Sequence, residues 1–468
     1  MKKKMTFLLS AMCVISGTLG LVSCNSSNKI KLRIGFWPEN TEIRDVAMYE
    51  QWKDAFEKDY PEYEIIADHY TYDTSTVGGR YNTGTLPTVF ETWFTEPAKL
   101  MKNKFIRPIT KQLKAVGWDE KMDEKMKYSL TFDEEIYGIP RDGYGLGLLI
   151  NTKTFVENGL LEEDASGKAI LYDEQNKPLY PTTFEEIYEA SLVIAENTET
   201  KGILICSANK NGGWQFSNMA WNYGAELEIV EEDGKIRANL DCNEAVQALS
   251  WIQKMKQEDL LLKSPSVTYD QWYNSIDEKV AMAIVGSDVL QLAKMQGNVD
   301  MNDLAFVPMP TGDGTHHYSL YGGTPFVFSS EATDEQVEGV LKFFEYTGRT
   351  PNVSEISKAA MVSGNETAKN KNQPILPTIK PWTNDEFVSY AEQLEEQYVN
   401  VDMYYYEEFF AKIQENQHAE VPYAAQEMYE YLDIAIQAVL LNPDTANPKT
   451  LLQSANSKLQ SYLDSNYK

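Results

Sequence analysis

Strand-period and helix-period segments alternate along most of this chain, and that alternation is the strongest limit on its fold. Leu32, Ile34 and Phe36 are apolar at every second position between Lys31, Arg33 and Gly35, the pattern of a half-buried strand. Beyond Trp37-Pro38-Glu39-Asn40-Thr41, the residues Val46, Tyr49, Trp52 and Phe56 recur at helical spacing, and Pro61 closes the helix. Residues 63–67 and 88–94 read as the second and third strands. Thr183 with Glu186, and Thr333 with Gln336, have capping-box spacing. The first pair precedes the apolar face Phe184, Ile187, Ala190 and Ile194; the second precedes Val337, Leu341 and Phe344. Asp241 precedes a helix carrying Val246, Leu249 and Ile252. Residues 161–180 read as a surface hairpin insertion, and the chain beyond about 383 as mainly helical. Alternation of this kind implies an α/β architecture with largely parallel sheets. A length of 468 residues suggests two or three domains.

The first residues bear on compartment. Lys2, Lys3 and Lys4 precede an apolar stretch from Met5 to Val22, diluted by Ser10, Ser16, Gly17 and Gly20. A charged start, an apolar middle and small residues before a break make a secretory signal rather than a transmembrane anchor. Leu21-Val22-Ser23-Cys24 resembles a bacterial lipobox, which implies cleavage before Cys24 and diacylation of its thiol. Residues 24–30 then form a short polar tether. No later segment is long and apolar enough to span a membrane. With 42 basic and 70 acidic residues the net charge is −28, a balance that repels nucleic acid and anionic headgroups. Of four cysteines, Cys13 lies in the signal and Cys24 takes the lipid; Cys206 and Cys242 are left, either as one disulfide or as two free thiols.

Five short motifs follow one another in order. They are Gly84-Thr85-Leu86-Pro87-Thr88-Val89-Phe90, Tyr137-Gly138-Ile139-Pro140 with Ile150-Asn151-Thr152-Lys153-Thr154-Phe155, Pro181-Thr182-Thr183-Phe184-Glu185-Glu186, Lys279-Val280-Ala281-Met282 with Gly286-Ser287, and Pro308-Met309-Pro310 with Gly322-Gly323. In this order, behind a lipobox, they resemble the family 1 extracellular solute-binding proteins. Thr88 stands where that family usually has Asp, and Asp288 where it has Trp. The resemblance implies a two-lobed periplasmic-binding-protein fold of type II, with crossover strands between the lobes and a helical C-terminal part. It places lobe one at 29–138 plus 305–350 and lobe two at 139–304 plus 351–468. It also implies a ligand cleft between the lobes that closes around solute.

A sugar offers apolar faces and a rim of hydroxyls, so its binding needs aromatic platforms beside carboxylates and amides. Trp37 and Glu39 follow the first strand. Glu91 and Trp93 end the third. Asp142, after Arg141, lies at the expected crossover. Trp214 sits in Asn211-Gly212-Gly213-Trp214, which reads as a loop. Trp221, Asp288, Gly323 and Trp382 complete the candidate ligand set. Trp52 and Trp251 lie on helical faces and read as core.

These residues and the resemblance together imply an exported, lipid-anchored, monomeric carrier. It takes a carbohydrate, most simply an oligosaccharide, to ABC transporter permease subunits, with no cofactor, no metal and no catalysis. Two alternatives stay open: the same fold binding a polyamine, metal or other small molecule, and a carbohydrate-active enzyme using two of the many carboxylates. His316-His317 is a metal pair without a third ligand in pattern.

Overall fold

The computed structural model describes residues 29–467. The lipobox, Cys24 and the leader lie outside that range. Two sheets organise the chain. In the first, Ile30–Ile34 pairs in parallel with Tyr63–Ala67 and with Val89–Glu91. Pro325–Phe328 continues it antiparallel to Val89–Glu91, and Gly138–Pro140 closes it. The second sheet runs Gln417–Ala419, Ser319–Gly322, Tyr144–Asn151, Val280–Gly286, Lys201–Leu204, with Leu304–Val307 also on Tyr144–Asn151. Val280–Gly286 is buried along its whole length and Tyr144–Asn151 from Gly145 onward. Such continuous apolar runs, rather than alternation, are what a sheet covered on both faces requires.

Local chemistry sets the element ends. Thr183 caps Phe184–Asn197 and Thr333 caps Asp334–Tyr346, each with a reciprocal capping box. The expected hairpin insertion is two tight turns, with bridges at Glu163–Ala169 and Tyr172–Pro178. Cys206 and Cys242 are both free thiols, Cys206 fully buried. Among the described residues no helix is long and apolar enough to cross a membrane, and no group of three or more His, Cys, Asp or Glu is placed to hold a metal ion.

The two bodies are divided differently from the sequence expectation. Residues 305–307 and Ser319–Gly322, expected in lobe one, belong to the second sheet because Leu304–Val307 and Ser319–Gly322 both pair antiparallel with Tyr144–Asn151. Most of the segment from Val353 to Ala391, expected in lobe two, packs on the first core, where Trp382 and Phe387 sit beside Trp118 and Met122; Leu376 and Ile379 touch the second. Ala425–Leu441 and Pro448–Asn466 do cover the second body.

The chain therefore crosses between bodies at 141–143, at 323–324 and again after the Asp385–Tyr398 helix. The first two crossings are tied together. Arg141 N–H donates to the Thr324 carbonyl at 3.0 Å, and Thr324 N–H donates to Asp142 Oδ1 at 3.1 Å. An alanine Cβ at Gly323 would lie 2.5 Å from the Asp142 carbonyl and 2.6 Å from the Phe94 ring, so the crossing needs glycine.

Candidate functional site

Two adjoining cavities, of about 660 Å³ and about 350 Å³, lie at these crossings, and Trp93 lines both. The larger opens into the first body, past Trp37, Tyr72, Glu91, Arg141 and Thr324. The smaller faces the second body, past Tyr144, Trp214, Tyr269, Asp288, Gly323 and Glu420.

Trp93 is 43 % exposed, unusual for so large an apolar ring. The ring of Tyr72 meets it edge-on at 5.3 Å. Tyr72 is itself held by donating its hydroxyl to the buried Glu96 carboxylate. Across the cavity Trp214 is clasped edge-on by Tyr269 at 5.0 Å and Tyr144 at 6.1 Å. The Tyr269 hydroxyl accepts the Gly286 N–H at 2.7 Å, which fixes that ring. Two aromatic side chains thus hold Trp214 while its remaining surface stays in the cavity.

The charged groups are mostly paired. Arg141 meets Glu91 at 2.9 Å and Asp142 at 2.5 Å. Asp288 is exposed at the cavity edge, with protein packed on either side of it. That enclosure, with the Asp142 charge adding to it and Arg141 opposing, pushes its pKa up to about 7. Glu420 accepts the Tyr429 hydroxyl at 2.6 Å, and enclosure lifts its pKa to about 7 as well. Near neutral pH both carboxyls therefore donate or accept hydrogen bonds, as a hydroxyl-rich solute requires.

The family model described as bacterial extracellular solute-binding protein matches residues 40–352. The chain belongs to that family. Solved structures repeat this solute-binding protein's fold. An ABC substrate-binding protein of Listeria monocytogenes in complex with cycloalternan superposes with a TM-score of 0.66 at 12% identity, covering 93% of this chain and 99% of that one. Maltose-bound MalE3 of T. maritima gives 0.64 at 15%, covering 93% and 100%. UgpB of Mycobacterium tuberculosis in complex with glycerophosphocholine gives 0.65 at 12%, covering 94% and 99%. A comparison with curated proteins found no match.

In this solute-binding protein the candidate residues separate into three groups. Trp37, Glu91, Trp93, Trp214, Asp288 and Gly323 line the paired cavities. Asp142 and Glu39 stand behind the wall: Asp142 fixes Arg141 and Thr324, and exposed Glu39 reaches the site only through His69, at 3.4 Å. Trp221 and Trp382 are corrections. Trp221 is 1% exposed and stacks on His418 at 4.0 Å, against a third cavity of about 620 Å³ that shares only Glu420 with the smaller one. Trp382 is 2% exposed and packs edge-on against Trp118 at 5.6 Å in the first core. The Asn211 segment is also not a loop. It opens the Asn211–Asn222 helix, which is buried on nearly every side, so only its first turn, with Trp214, reaches the cavity. Asp288 caps no helix; the next one begins at Leu292.

The start of that helix is built for close approach. Asn209 and Lys210 are left-handed, at φ 57° and 69°. Asp433, from the Ala425–Leu441 helix, accepts the Lys210 and Gly213 N–H groups at 2.6 and 2.8 Å. A Cβ on Gly213 would sit 2.3 Å from the Tyr429 backbone. Gly213→Ala is therefore expected to force the two helices apart, costing about 2 kcal/mol or more. The checks are a lower denaturation midpoint and, because Trp214 is adjacent, weaker ligand binding.

Sequence reasoning missed Tyr72, Tyr144, Tyr269, Glu420 and Arg349. Tyr144 directly follows the crossover Arg141-Asp142-Gly143, which was the available signal. Glu420 comes from the segment beyond the family match, where no motif announced it.

Proposed function

We propose that this solute-binding protein captures a carbohydrate, an oligosaccharide of a few units, and hands it to the permease of an ABC importer. One observation carries the reading: tryptophans from opposite bodies, Trp93 and Trp214, flank one cavity together with carboxyls poised to exchange hydrogen bonds with hydroxyls. Pyranose faces stack on such rings, and the rim exchanges its water for Asp288, Glu420 and Asn211. The cycloalternan and maltose complexes of the fold's relatives agree with this. The lipobox at Cys24 supports a lipid tether on the outer face of the membrane, checked by mass spectrometry of the membrane-bound form. The glycerophosphocholine complex of another relative keeps a non-sugar solute as the second reading.

The test is titration of the purified protein with neutral and acidic oligosaccharides by calorimetry and tryptophan fluorescence. Saturable binding with no product supports a carrier. Turnover of the sugar would support an enzyme instead. Silence across the sugars, with a response to polyamines or glycerophosphodiesters, would sink the carbohydrate assignment.

A further inference from the structure

The larger cavity carries one charge that the protein leaves unanswered. Its wall includes Asp45, His69, Glu91, Arg141 and Arg349. Asp45 pairs with Lys371 at 2.9 Å, His69 with Glu39 at 3.4 Å, and Glu91 with Arg141 at 2.9 Å. Arg349 has no carboxylate within 4.0 Å among the described residues. Its guanidinium lies over Phe36 at 5.0 Å, Tyr49 at 5.5 Å and Phe326 at 5.8 Å. Nη2 donates to the Tyr49 hydroxyl at 2.6 Å, and Nη1 makes only a 3.5 Å contact with the Thr347 carbonyl. These aromatic faces hold the group flat and support its charge. Two of its five N–H donors are engaged, neither by an anion.

In a chain with 70 acidic and 42 basic residues, a half-buried guanidinium without an acid beside it runs against composition. A guanidinium stays charged at every working pH, and its planar fork matches an oxyanion. The two ends of the site also differ: Asp288 and Glu420 lie in the cavity toward the second body, Arg349 in the cavity within the first.

We propose, resting on the carbohydrate reading above, that the solute is an acidic saccharide whose oxyanion is seated on Arg349. Its neutral hydroxyl-bearing part then lies between Trp93 and Trp214. The shared chemistry is an oxyanion borne by a sugar: a uronate carboxylate, a phosphate ester or a sulfate ester.

The experiment compares trisaccharides of one linkage in four forms: neutral, with one glucuronate, with one 6-phosphate, and with one 6-sulfate. Wild-type protein should bind one acidic form at least about tenfold more tightly than the neutral one, the range of a charge-assisted hydrogen bond. Which form wins identifies the oxyanion. Arg349→Gln should erase that preference; Arg349→Lys should keep part of it. Raising ionic strength on the unmodified protein should shrink the preference, a readout that needs no variant to fold. Equal affinity for neutral and acidic forms would overturn the proposal while leaving the carbohydrate reading intact. Binding of none of the sugars would remove both.

Discussion

Trp214→Ala is expected to weaken carbohydrate binding by about 30- to 100-fold, ~2–3 kcal/mol, and Trp93→Ala by a similar factor. The two rings act from opposite bodies, so a ligand touching both is gripped only when both are present. Trp214 is the more rigid platform, because Tyr269 and Tyr144 meet it edge-on and Tyr269 is itself tied to the Gly286 N–H. A platform fixed in advance loses little side-chain entropy when the sugar arrives. Trp93 is the cleaner probe. At 43% exposed it contributes little to the core, so truncation should leave the melting temperature nearly unchanged while affinity falls. Calorimetry and a thermal melt on the same samples separate the two effects. An unchanged dissociation constant in the Trp93 variant would place the solute elsewhere.

The fold was more legible in the sequence than the site, for a physical reason. Capping boxes and strand periods are local, and Thr183, Thr333 and Ile30–Ile34 behave as their neighbours dictate. Pairing is not local. Leu304–Val307 is apolar whichever body holds it, and only its register with Tyr144–Asn151 assigns it to the second. The direction of a tryptophan is equally non-local. Lys380-Pro381-Trp382-Thr383 looks like an exposed loop, yet Trp382 bridges to Met122 and turns its ring onto Trp118. Trp214 and Trp221 lie seven residues apart on nearly the same helical face, but two turns along the axis carry one to the cavity and the other beneath His418. Arg349 gave no signal because an arginine is notable here only for the carboxylates it lacks.

Glu228→Gln should stabilise the protein above neutral pH and change little in acid. Glu228 is 9% exposed in the strand Glu228–Val230. One carboxylate oxygen accepts the Tyr423 N–H at 3.3 Å; the other has no hydrogen-bond partner among the described residues. Burial pushes its pKa from the ordinary 4.5 up to about 8, and the Tyr423 N–H only partly opposes this. The sign follows from proton counting. Between about 4.5 and about 8 the folded chain holds this proton and the unfolded chain has lost it, so this group's contribution to stability falls as pH rises through that window. A tenfold change in proton affinity is worth about 1.4 kcal/mol, which sets a ceiling near 5 kcal/mol; relaxation and water entry bring the expected gain to ~2–3 kcal/mol. Glutamine keeps the shape of the protonated acid and has no charge to bury. Denaturant unfolding of both proteins at about pH 4 should give matching curves, and at about pH 9 the variant should unfold later. An offset independent of pH would mean that Glu228 is not a buried acid titrating in this window. Asp288 and Glu420 carry the same sign but line the proposed binding cavity, where a solute would alter their titration. Glu228 lies outside that cavity, so its substitution should shift stability while leaving the dissociation constant where it was.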